Sequence, residues 1–144
     1  MPPAHHGCTP HAGLRVADAA EAHRVSTANG AVSMLPPATL RSAAEAHAAP
    51  AVVSEVKAYG DVALRFVSGA FAGPFLPGFE AIHEPAAHSY GLQRLDHCVG
   101  NAPELFDVTD YLMKVTGAQR LCRFEHAGWD SHSELNLHVC TPQS

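Results

Sequence analysis

The sequence predicts an α+β fold in which a strand–helix–strand unit is used twice. Three observations point there. Residues 51–59 and 61–68 are two runs rich in Val, Leu and Phe that meet at Gly60-Asp61, a hairpin pattern. Leu105, Val108, Tyr111, Leu112 and Val115 recur at helical spacing and form an amphipathic stripe. The series Leu14, Val16, Asp18, Asn29-Gly-Ala31 returns as His97, Val99, Asn101, Thr116-Gly-Ala118 with a longer helix. Laid on this repeat, His97 answers to Leu14.

Taken in order, residues 1–11 read as an irregular lead-in, and its histidines, His5, His6 and His11, merit no more than adventitious metal binding. A short strand over residues 12–16 precedes a helix over 18–29. Asp18 suits the N-cap and Gly30 the position after the C-cap. Pro36-Pro37 stops any continuation of that helix. Residues 42–49, rich in alanine, fit either a short helix or a loop. After the hairpin, residues 69–89 turn to Gly, Pro, Ala and His without periodicity, which marks a linker with a domain boundary near Pro85.

The stretch Tyr90-Gly-Leu-Gln-Arg-Leu-Asp-His-Cys-Val-Gly-Asn-Ala-Pro-Glu104 then reads as strand, turn and helix start. Leu95, His97 and Val99 share one strand face, since side chains alternate at period two. An imidazole between two apolar neighbours faces the interior, either as a hydrogen-bonded core histidine or as a metal ligand. The residues alone leave both readings open. Pro103 suits the first helical position and Glu104 complements the helix dipole. The helix runs over residues 103–116 and ends at Gly117. Strands follow over 118–126 and 134–140, with Leu135, Leu137 and Val139 on one face of the last.

Composition bounds the function classes. A chain of 144 residues with 47% hydrophobic and 16% charged residues is globular. A net charge of −5 with 9 Lys plus Arg carries no nucleic-acid or anionic-membrane footprint. No apolar run reaches the length of a membrane span, and Met-Pro-Pro-Ala-His-His-Gly has neither signal-peptide nor transit-peptide character. A soluble, cytoplasmic chain is expected, with a plastid location open to a longer form. Cys8, Cys98, Cys122 and Cys140 form no C-x-x-C pair, so reduced thiols are expected.

Several blocks in register resemble the plant and algal 4-hydroxyphenylpyruvate dioxygenases. They are Ser26-Thr-Ala-Asn-Gly-Ala31, the hairpin Ser54 to Ser68, Phe75-Leu-Pro-Gly-Phe-Glu80 and Tyr90 to Leu105, within a likeness that runs from Gly13 to Val139. The resemblance implies paired βαβββ modules of the vicinal oxygen chelate (glyoxalase-like) superfamily. Residues 12–84 would be a structural module, and 85–144 the start of a metal-bearing catalytic domain, truncated. It makes residues 42–49 a connection between strands, and His97 the first of three ligands of iron(II), Fe(2+). Two histidines and a carboxylate leave open positions for an α-keto acid substrate and dioxygen. The family chemistry converts 4-hydroxyphenylpyruvate to homogentisate in tyrosine catabolism, and full-length members are expected to be homo-oligomers.

The second histidine and the glutamate of the family lie beyond Ser144. His126, Glu134 and His138 are poor substitutes: the family has a small apolar residue at the last position, and His138 faces away from Leu137. Val99 and Leu137 fall at substrate-pocket positions, and plant members carry serine where Leu137 stands. Residues 125–133 also depart from the family. The isolated chain is therefore expected to be inactive. A non-catalytic vicinal-oxygen-chelate fragment or degenerate gene product is the alternative, and hydroxymandelate synthase is a close enzymatic rival.

Overall fold

The computed structural model describes residues 11–42, 48–72, 75–80, 91, 93–94, 100, 102, 104–123 and 135–138, with side chains described through residue 119. The elements are β1 (His11–Arg15), α1 (Ala19–Ala28), β2 (Ser33–Leu40), β3 (Ala51–Tyr59), β4 (Val62–Ser68), α2 (Leu105–Thr116), β5 (Gln119–Arg123) and β6 (Leu135–His138). The first five make one βαβββ unit whose sheet has the order β1-β4-β3-β2. β1 runs parallel to β4, and the other two pairings are antiparallel. β5 and β6 form a separate antiparallel pair.

Local chemistry explains most boundaries. The Asp18 carboxylate accepts from the amides of Ala20 and Glu21, two donors that the first turn of α1 leaves without helical partners. A third free donor, Ala19 N–H, gives its hydrogen bond to Ser68 Oγ, and Ser54 Oγ donates to the Ala19 carbonyl. These two serines tie α1 to β4 and β3 and identify the sheet face it covers. The predicted hairpin turn is present, with Gly60 at φ +50.

Four sequence expectations need correction. His11 is the first residue of β1, not part of an irregular lead-in. Pro36 and Pro37 do not merely end a helix; they lie inside β2. β2 is an edge strand with register shifts between Ser33 and Leu35 and between Leu35 and Ala38, and an edge or bulge tolerates a residue that cannot donate. α2 begins at Leu105, so Glu104 is the N-cap instead of an interior first-turn residue. The repeat pairing of Asp18 with Asn101 fails for the same reason, as shown below. The expected linker and the boundary near Pro85 fall mostly outside the described residues, as do the ends of the last two predicted strands.

Both helices share one core. Ala19, Ala31, Val56, Ala58, Leu64, Phe66, Leu112 and Val115 form a single buried cluster, so the predicted stripe on α2 packs on the first unit. Val115 is 1% exposed. Ser26 is buried in α1, and its hydroxyl donates to the Val115 carbonyl at 2.7 Å. That carbonyl belongs to the last turn of α2, where carbonyls lack helical partners. Ser26→Ala is expected to destabilise the chain by about 1–2 kcal/mol, the cost of an unsatisfied buried acceptor. Urea unfolding with an unchanged m-value checks it.

Candidate functional site

The sheet face opposite α1 carries a buried charged group. In β3, Ser54 and Val56 point toward α1, so Glu55 between them points away. Register pairs Glu55 with Arg65 and Arg65 with Gly13, which brings β1, β4 and β3 side by side there. The Glu55 carboxylate divides its two oxygens. Arg65 Nε donates to Oε1 at 2.6 Å, with Nη2 beside the same oxygen, and His11 Nε2 lies 3.3 Å from Oε2. The Glu55 side chain is only 10% exposed. A carboxylate so deeply placed needs its charge compensated, and the guanidinium does this directly.

Nearby, Arg15 Nη2 donates to the Gly69 carbonyl at 3.1 Å, and its guanidinium carbon sits 5.0 Å from the Phe71 ring centroid. Further along, Leu76-Pro77-Gly78-Phe79 is a tight turn closed by Phe79 N–H to the Leu76 carbonyl, with Gly78 at φ +95. Leu76 is buried, whereas Phe75 and Phe79 meet edge to face at 5.1 Å and remain largely exposed. The block on which part of the resemblance rests is thus a turn presenting two aromatic rings.

The second unit is anchored at two further points. Tyr111 Oη donates to the Lys57 carbonyl at 2.6 Å. Loss of water pushes this phenol above its usual range, while the Val32 backbone works in the opposite direction. Gly100 lies against the Tyr59 hydroxyl, so the chain just before α2 passes close to the side chain at the end of β3, and a larger residue there would have to displace that phenol. Gly117, at φ +73, closes α2.

His97 and Val99 lie outside the described residues, as do His126 and Glu134. Leu137 is in β6 opposite Arg120, and His138 opposite Gln119, but their side chains are not described. The helix caps nevertheless revise the repeat. Asp18 and Glu104 are the two N-caps, and the spacing between them recurs from Ser33 to Gln119, the first residues of β2 and β5. Applied to β1, that spacing takes His97 back to His11, not to Leu14. Leu14 pairs with Phe66 on the α1 face, while His11 pairs with Ala63 on the face that holds Glu55. The position matching His97 in the first unit is thus a histidine on the face away from the helix.

Sequence reasoning did not find the Glu55–Arg65–His11 group. One signal was available: Glu55 and Arg65 are equidistant from Gly60, so a hairpin turning there sets them opposite each other. Nothing local predicted that His11 would join them, because β1 reaches β4 by a parallel pairing distant in sequence.

Among the described residues, no three His, Cys, Asp or Glu side chains converge as a metal site. His11 and Glu55 supply two candidate donors, and Arg65 occupies the remaining oxygen of the carboxylate. This part of the chain does not fit an iron centre. Also among the described residues, no helix is long and apolar enough to cross a membrane.

No protein-family profile matches the chain. Known proteins do. It is 46% identical over 113 residues to 4-hydroxyphenylpyruvate dioxygenase of Hordeum vulgare, a match that spans 77% of this chain and 24% of the relative. The enzyme of the same name from Arabidopsis thaliana is 39% identical over 117 residues, covering 77% and 25%. That from Daucus carota is 44% identical over 115 residues, covering 77% and 24%. The chain therefore spans about a quarter of the length of the relatives it matches. With 39–46% identity over 77% of its length, the chain is a fragment-length relative of the 4-hydroxyphenylpyruvate dioxygenases.

Proposed function

We propose that this chain is part of a non-haem iron(II) dioxygenase that converts 4-hydroxyphenylpyruvate to homogentisate, with His97 as one metal ligand. The observation that carries the proposal is the sustained identity to enzymes of that name across 77% of the chain. The revised repeat supports the ligand assignment, since its counterpart of His97 is on the sheet face away from the helix. When bound, iron(II) supplies the oxygen chemistry. The chain's own share is to hold one imidazole, to seat α2 and the stretch before it on a rigid first unit, and to help exclude water. Val99 and Leu137 would border the substrate. Leucine at the second position offers bulk and no hydroxyl, so it narrows a pocket and removes a hydrogen-bonding group.

A single imidazole cannot hold iron(II) against water, so the isolated 144 residues are expected to be silent. The assay combines purified chain, iron(II), ascorbate and 4-hydroxyphenylpyruvate, and follows oxygen uptake and homogentisate. Enzyme-dependent homogentisate from this chain alone would refute the fragment reading and direct attention to His126, Glu134 and His138 as ligands. Hydroxymandelate from an extended chain would instead identify the rival synthase.

A further inference from the structure

We propose that Asn29 is a deamidation site, converted to aspartate and isoaspartate by attack of the Gly30 nitrogen, at a rate set by opening of the last turn of α1. The sequence holds three asparagines, Asn29, Asn101 and Asn136, and only Asn29 precedes glycine. Attack closes a five-membered ring on the asparagine side chain. A Cβ on the attacking residue crowds that ring, and glycine has none. Asn29 and Gly30 are both exposed, so water reaches the site.

In the covalent step the Gly30 nitrogen bonds to Cγ of Asn29 while the Cγ–Nδ2 bond breaks. Nδ2 leaves as ammonia, together with the proton given up by the Gly30 amide. Water then opens the cyclic imide. Opening at Cγ yields aspartate in an unaltered chain. Opening at the main-chain carbonyl carbon yields isoaspartate, whose backbone runs through Cγ and is one methylene longer. Nothing is oxidised or reduced, and solvent water is the only co-reactant.

The folded cap holds these groups apart. Asn29 is the C-cap of α1, with φ −88 and ψ 10. A ψ so near zero nearly eclipses the Gly30 nitrogen with the nitrogen of Asn29 itself and turns it away from Cβ. Gly30 N–H donates to the Thr27 carbonyl and Ala31 N–H to the Ser26 carbonyl, each at 3.0 Å. Ala31 is 8% exposed and belongs to the core shared by both helices. Rotating the Gly30 nitrogen onto Cγ therefore breaks the two hydrogen bonds that end α1 and draws Ala31 from its place. Ring closure waits for that turn to open. The products also bear on the packing of α2. Lys114 Nζ lies 3.8 Å from where a Cβ on Gly30 would stand, so the new carboxylate forms close to an ammonium of α2. The last turn of α1 has no basic residue of its own to offset a negative charge there.

The test incubates the full chain at neutral pH beside the same chain unfolded in urea and the free peptide Ser26 to Val32. Peptide mapping by mass follows replacement of the side-chain NH2 by OH, and labelling with an isoaspartyl methyltransferase reports isoaspartate. Both products are expected at Asn29 ahead of Asn101 and Asn136, and about tenfold or more slowly in the folded chain than in the peptide. Ser26→Ala removes the hydroxyl's tie to the Val115 carbonyl and leaves Asn29 and Gly30 in place. It is expected to raise the rate in the folded chain by about five- to thirtyfold while leaving the peptide rate unchanged. Should that variant unfold, wild-type chain in urea below its transition supplies the graded opening instead, and its rate should climb with urea. Asn29 intact in the unfolded chain overturns the site. Aspartate without isoaspartate overturns the cyclic route. Equal rates in folded chain and peptide, or a rate indifferent to Ser26→Ala and to urea, overturn the control by the fold.

Discussion

Replacing His97 with alanine in a chain extended to family length is expected to abolish homogentisate formation while leaving the fold in place, if the proposed ligand role holds. Three protein ligands on one face are the minimum that leaves open positions for a chelating keto acid and oxygen. Removing one lowers metal retention and misplaces what stays bound. Since the metal supplies several kcal/mol of transition-state stabilisation, the rate should fall about a thousandfold or more. The measurement is turnover alongside bound iron per chain, with circular dichroism and thermal unfolding as fold controls. Loss of both activity and iron with an unchanged unfolding midpoint identifies a ligand. Full activity in the alanine variant would refute the assignment. His11→Ala in the same chain should leave turnover nearly unchanged, because His11 is beside Glu55 and Arg65 in the first unit.

Arg65→Met should produce the largest loss of stability of any single change on the face opposite α1. It keeps much of the side chain's length but strands the Glu55 carboxylate, whose side chain is 10% exposed. Breaking a buried pair by removing one partner costs about 3–5 kcal/mol. The lower end applies here, because the Arg65 side chain is 33% exposed and water reaches one side of the pair. Replacing both residues, with Glu55→Gln added, should recover much of the loss, since no uncompensated charge then remains. The double-mutant cycle in urea measures this directly. Independent, additive effects of the two substitutions would show that the pair is not coupled as its geometry requires.

Local patterns carried far into the fold. The Asp18 cap, the turn at Gly60, the stripe from Leu105 to Val115 and the stop at Gly117 all stand where side-chain chemistry and periodicity put them. Each depends on neighbours within a turn or a hairpin, and such signals are written in consecutive residues. β2 escaped because proline normally argues against strand. Pro36 and Pro37 are admitted only because β2 is an outer strand and bulges where they lie, a fact about neighbours distant in sequence.

The candidate site divides along the same line. That the chain is similar to the dioxygenases over most of its length was legible from residues alone, while the expectation of His97 on a strand falls outside the described residues. The helix start was not legible, because Pro103 suits a first helical position, while the helix starts at Leu105 with Glu104 before it. Helix starts are poorly specified locally when no side chain makes the capping hydrogen bond, as at Glu104. By itself the sequence determined the periodic elements, their order and the family they resemble. Only the tertiary structure decided that His11, Arg65 and Glu55 meet on one face and that α2 shares the core of the first unit. Parallel pairing of β1 with β4 and the docking of α2 on α1 join residues far apart in the chain, and no local propensity encodes which distant surfaces become neighbours.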